Sequence, residues 1–149
     1  MFASLLLVLG ALIAVNLASR WLRIRRRSKA AVLPPGEPSL RRTERVSTRL
    51  FTDARIAGGP RPGGYSQGHV TLVLTARRLL VASEWGRALE IRNDLPGEVR
   101  WTGPRRVVIE GSHPSGRARV RAEMVLDEED AWLAAIRGLP GATVTRPPR

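Results

Sequence analysis

Residues 117–139 read RARVRAEMVLDEEDAWLAAIRGL, and the hydrophobic period changes once inside them. From Arg117 to Leu126 the period is two: Arg117, Arg119, Arg121 and Glu123 fall on one side, and Ala118, Val120, Ala122, Met124 and Leu126 on the other. Successive Cβ atoms of a strand point to opposite faces, so this alternation predicts a strand with one face in a core and one in water. After Asp127 the period becomes helical. Trp132, Ala135, Ile136 and Leu139 recur at i, i+3, i+4 and i+7 and form one apolar stripe. Asp127 reads as the N-cap, the acids that follow favour the positive end of the helix, and Gly138, Pro140 and Gly141 stop it.

Upstream the pattern is rich in short strands. Arg45–Phe51 reads as one and can continue through 53–57. His69–Thr75 alternates, with Val70, Leu72 and Leu74 on one face, and Arg78–Ser83 returns from a turn at Ala76-Arg77. Ala88–Arg92, Glu98–Trp101 and Arg105–Glu110 follow, separated by glycine- and proline-bearing turns. Residues 58–68, GGPRPGGYSQG, read as a long hairpin connection. The expected class is mainly β (α+β): a bent antiparallel sheet or barrel capped by the C-terminal helix, with Trp132 in the core.

The N-terminal end has a different character. Met1 to Ser19 carries no charged side chain, whereas Arg20, Arg23, Arg25, Arg26, Arg27 and Lys29 follow within ten residues. A helix of 18 to 21 residues covers roughly 27 to 32 Å, the thickness of a bilayer's hydrocarbon core. Trp21 stands at the boundary, where an amphipathic ring is favoured. A cleaved signal peptide places its basic residues before the apolar run, and here they follow it. Positive charge after the span retains it on the cytoplasmic side, which predicts a single-pass anchor in the inner (plasma) membrane, N-terminus out and C-terminus in. The expected division is an anchor over 1–22, a basic juxtamembrane segment and Pro-rich linker over 23–41, a β domain over 42–141 and a disordered tail over 142–149.

The chain has 149 residues and a net charge of +12. That charge is concentrated beside the anchor and in the tail. Between Thr43 and Gly141, 15 Arg stand against 12 acidic residues, an excess of only three. The composition therefore argues against a nucleic-acid partner, and a membrane-tethered nucleic-acid binder is the alternative reading. Anionic lipids are drawn to the juxtamembrane stretch Arg20, Trp21, Arg23, Arg25, Arg26, Arg27 and Lys29, at roughly 1 kcal/mol per charge near the surface. There is no cysteine, which removes disulfides, thiolate catalysis and Cys-ligated metals.

Within this pattern GHVTLVLTARRLLVAS (68–83), with Thr75-Ala76-Arg77-Arg78-Leu79 at its turn, resembles a hairpin of bacterial pleckstrin-homology-like and GRAM-like domains. The alternation in GRARVRAEM and the EEDAWLAAI helix resemble the end of the same domain. The resemblance covers about Arg42 to Leu139. It implies a strongly bent seven-stranded sheet closed at one end by the helix, and a binding or scaffolding module rather than a catalyst. Relatives of that kind often bind phosphoinositides through basic residues around the first hairpin. Here Arg49, Arg55, Arg61 and His69 are interrupted by prolines and glycines, so that ligand is not carried over.

No catalytic residue, cofactor or metal site is expected. His69 and His113 are the only histidines and stand at no ligand spacing, and Ser112-His113 has no partnered carboxylate in sequence. An enzyme is accordingly the weakest alternative. The expected partner surface comprises Arg77, Arg78, Trp85, Arg117, Arg119 and Arg121, and its partner is a protein of unknown identity.

Overall fold

The computed structural model describes residues 2–53 and 63–148. Arg55, Arg61 and the strand continuation over 54–57 lie outside them, as does much of the 58–68 connection.

Helix α1 runs unbroken from Phe2 to Ala30. It therefore continues through the basic segment expected to lie outside the anchor. The reason is local: RIRRRSKA contains strong helix formers and no breaker, whereas Pro34 and Pro35 forbid continuation. The irregular linker is thus short, from Ala31 to Leu40. It turns at Pro34–Glu37, where the Glu37 N–H donates to the Pro34 carbonyl at 3.2 Å and Gly36 takes φ +80°.

Eight strands follow: β1 (Arg41–Thr52), β2 (Tyr65–Leu74), β3 (Arg78–Ser83), β4 (Gly86–Arg92), β5 (Gly97–Gly103), β6 (Arg106–Ser112), β7 (Arg119–Val125) and, beyond helix α2 (Glu129–Arg137), β8 (Ala142–Thr145). Their order is β4-β3-β2-β1-β7-β6-β5-β8. Strand β1 is long and irregular, with a register shift between Thr43 and Val46 where Arg45 takes φ 60°. Such a bulge bends a strand, and β1 pairs with β2 on one edge and through Thr48–Thr52 with β7 on the other. The ring closes where Glu90 of β4 meets Ser112 of β6. Gly97 lies at that corner. A Cβ there would sit 2.5 Å from the Glu110 carbonyl oxygen and 2.6 Å from Ile91, so only glycine lets the backbones approach.

The result is a mainly β protein with a closed antiparallel barrel, an apolar N-terminal helix and a C-terminal helix. The alternation in β7 is realised: Val120, Ala122, Met124 and the following Leu126 are buried, and Arg119 and Arg121 are exposed. Trp132, Ile136 and Leu139 enter the same core, joined by Leu133, with Ala135 packed at its margin. Trp101 is also fully buried in this core.

The tail departs from expectation. Ala142–Thr145 pairs in parallel with Gly97–Arg100 of β5. Gly141 permits the turn into it, at φ +83° and so close to Arg92 that a Cβ would stand 2.2 Å from the carbonyl oxygen. Arg146 then holds Glu129 at 2.8 Å and Asp130 at 2.6 Å. The acids before α2 likewise serve tertiary contacts. Glu128, not Asp127, is the N-cap residue, and it makes no side-chain cap bond. Asp127 pairs with Arg105, Glu128 with Arg41 at 2.7 Å, and Glu129 accepts from the Arg105 backbone N–H at 2.6 Å. These bonds tie both the β5–β6 turn and the start of β1 to the helix.

Candidate functional site where the helix meets the barrel

Helix α1 is long and apolar enough to cross a membrane, and its apolar part is not buried against the protein. Its basic end, in contrast, is docked. At helical spacing Arg23, Arg27 and Ala30 share one face, and Ala31 continues it into the linker. Ala31 is fully buried with Val73, Leu80 and Ala82, and Ala30 and Leu33 pack against that cluster. Val73, Leu80 and Ala82 lie opposite the core-facing residues of β2 and β3, so the linker covers the outer face of these strands. Arg87 of β4 donates to the carbonyls of Ala30 at 3.2 Å and Val32 at 2.8 Å. It thereby satisfies carbonyls that a helix end leaves without partners. Arg23 stands 3.6 Å from Glu84 in the β3–β4 turn.

A second set of bonds locks the linker. Thr75 Oγ1 donates to Glu37 at 2.6 Å and accepts from the backbone N–H groups of Arg77 and Arg78, each at 3.1 Å. Arg78 lies between two carboxylates, Glu37 at 2.9 Å and Glu90 at 2.7 Å. Burial pushes the Glu37 carboxyl upward. The bonds from Thr75 and Arg78, with the positive charge of Arg78, outweigh it and hold Glu37 below the usual carboxylate range. Burial likewise opposes the charge on Arg78, and the two carboxylates more than offset it. Arg78 is therefore an internal tie, and the expected partner surface loses it. Its neighbour Arg77 remains exposed.

The other expected contacts separate into distinct groups. Arg20, Trp21, Arg25, Arg26 and Lys29 are exposed on α1, with Arg25 above the Trp21 ring at 5.1 Å. Arg23 and Arg27 face the barrel and line a cleft of about 100 Å³ with Ser66, His69, Glu84 and Trp85. Arg117 and Arg119 are exposed some distance along the chain, on and before β7. Arg121 is held by Glu123 at 2.5 Å and lies over the Phe51 ring, so the row is not a uniform basic stripe. The structure does not gather the expected surface residues into one patch.

His113 contacts Ser115, not Ser112: Nδ1 lies 2.8 Å from Oγ and accepts the Ser115 backbone N–H at 3.2 Å. Burial lowers the His113 pKa. This is a turn-stabilising arrangement, in which the ring nitrogen caps a backbone donor. Among the described residues no group of three or more His, Cys, Asp or Glu is placed to hold a metal ion.

No known family, characterised protein or solved structure matches this chain. The functional reading therefore rests on geometry: a basic helix end, a barrel docked on it, and a cleft between them. The sequence carries one signal for this docking. Leu79-Leu80-Val81-Ala82 is apolar on both faces of its strand, as expected only where something covers the outside.

Proposed function

We propose that the chain is a single-pass inner-membrane protein, N-terminus out, whose cytoplasmic barrel is a pleckstrin-homology-like binding or scaffolding module. It serves a protein partner or lipid headgroups at the membrane surface and is not a catalyst. The observation that carries this reading is the position of the docked barrel. Arg23, the first residue after apolar Leu22, already contacts the β3–β4 turn through Glu84. On this reading the barrel sits at the lipid–water boundary instead of hanging on a flexible tether. Confinement of that kind raises the effective concentration of the module for other membrane components. The basic residues from Arg20 to Lys29 favour retention of this end on the cytoplasmic side.

The test is topology in intact cells. A reporter fused after Arg149 should behave as cytosolic, and protease added outside should leave the barrel intact. Cleavage of the barrel from outside would overturn the orientation.

A further inference from the structure

The cleft between α1 and the barrel has a composition that neither element has alone. Arg23 and Arg27 come from the helix, and Ser66, His69, Glu84 and Trp85 from β2 and the β3–β4 turn. Arg23 is compensated by Glu84 at 3.6 Å. Arg27 is half-buried and, among the described residues, pairs with no carboxylate. A cation turned toward a polar cleft without a counter-charge of its own invites an anion.

We infer that this cleft binds the phosphate group of an anionic lipid, one phosphate per site, between the anchor and the barrel. The inference rests on the reading that α1 spans the membrane. Three observations select the ligand. Depth is the first: Arg23 and Arg27 lie about 2 to 8 Å along the helix axis from Leu22, where headgroup phosphates reside. Donor chemistry is the second. The guanidinium of Arg27 offers a fork suited to phosphate oxygens. Size and charge are the third. A cleft of about 100 Å³ with Glu84 on its wall accepts one phosphate and repels additional negative charge, so a polyphosphorylated headgroup is disfavoured. Trp85, exposed at the turn, is placed to sit among the headgroups.

The experiment is native mass spectrometry of the full chain in neutral detergent micelles, titrated with phosphatidic acid. Arg27→Gln is compared with Arg25→Gln, which removes the same charge from the opposite, exposed face of the helix. Both lose whatever general attraction the basic stretch supplies. Arg27→Gln should lose about tenfold more affinity, the size of one charge-assisted hydrogen bond. Arg27→Lys should restore part of it. The difference between the two glutamine variants should persist in high salt, where surface attraction is screened. Equal losses in the two variants would overturn the site. Displacement of the lipid by millimolar inorganic phosphate would assign the cleft to a soluble anion and overturn the lipid assignment. The underlying reading fails separately: alkaline extraction of the chain from cell membranes would refute the span, whatever the lipid titration shows.

Discussion

Arg78 reaches Glu90 at 2.7 Å, and that carboxylate is only 1 % exposed. The same guanidinium holds Glu37, which lies outside the barrel in the linker. One side chain thus joins a buried acid of β4 to the segment that follows α1. Arg78→Met should lower stability by about 3–5 kcal/mol, because it leaves a buried charge without its main partner. Arg92, 3.6 Å from Glu90, places the expected loss toward the lower end. Adding Glu90→Leu should recover most of it. Chemical denaturation of the single and double variants checks this, and the absence of recovery would show that Arg78 acts by another route.

Glu37 gives the latch a pH dependence. Its folded-state pKa lies below the ordinary value of about 4.5, so its stabilisation is complete above that value and is lost as pH falls through the folded one. A chain starting at Ala31 keeps the latch and one starting at Arg41 lacks it. The longer chain should be more stable near neutrality, and its advantage should shrink on acidification below about pH 4.5. Parallel melting curves against pH measure the difference.

Trp132 is fully buried, and Arg41 lies over its ring at 5.5 Å. Trp132→Ala should cost about 3–5 kcal/mol, the range for emptying a large aromatic site. An unchanged melting temperature would show that α2 does not close the barrel.

Two glycines near the end of α2 should respond oppositely. Gly141 has positive φ and its missing Cβ would overlap the Arg92 carbonyl, whereas Gly138 has φ −86° and open space around it. Gly141→Ala should destabilise by more than about 1 kcal/mol and raise amide exchange in β8, while Gly138→Ala should be neutral or stabilise by up to about 1 kcal/mol. Hydrogen exchange and thermal denaturation read both effects.

The strands were legible where one face is wet. β7 announces itself through Arg119, Arg121 and the buried residues between them, and α2 through Trp132, Ile136 and Leu139. What the sequence concealed depends on partners distant along the chain. Thr143 and Val144 resemble tail residues until Glu98 and Val99 are beside them. Arg78 reads as a solvated turn residue until Glu37 and Glu90 meet it. Arg23 and Arg27 read as two members of a uniform basic run. Only docking of the helix separates them from Arg25 and Arg26, and with them the candidate cleft.

The docking of the helix end on the barrel is tested most directly by cross-linking in membranes. The native chain has no cysteine, so introduced thiols are unique. With Arg23→Cys and Glu84→Cys, a short bis-maleimide should join the two residues efficiently within one chain. Arg25→Cys with Glu84→Cys should react far less, because Arg25 stands two residues from Arg23 and so on the opposite face of the helix. Equal cross-linking of the two pairs, or none in either, would contradict a barrel docked on the basic end of the helix.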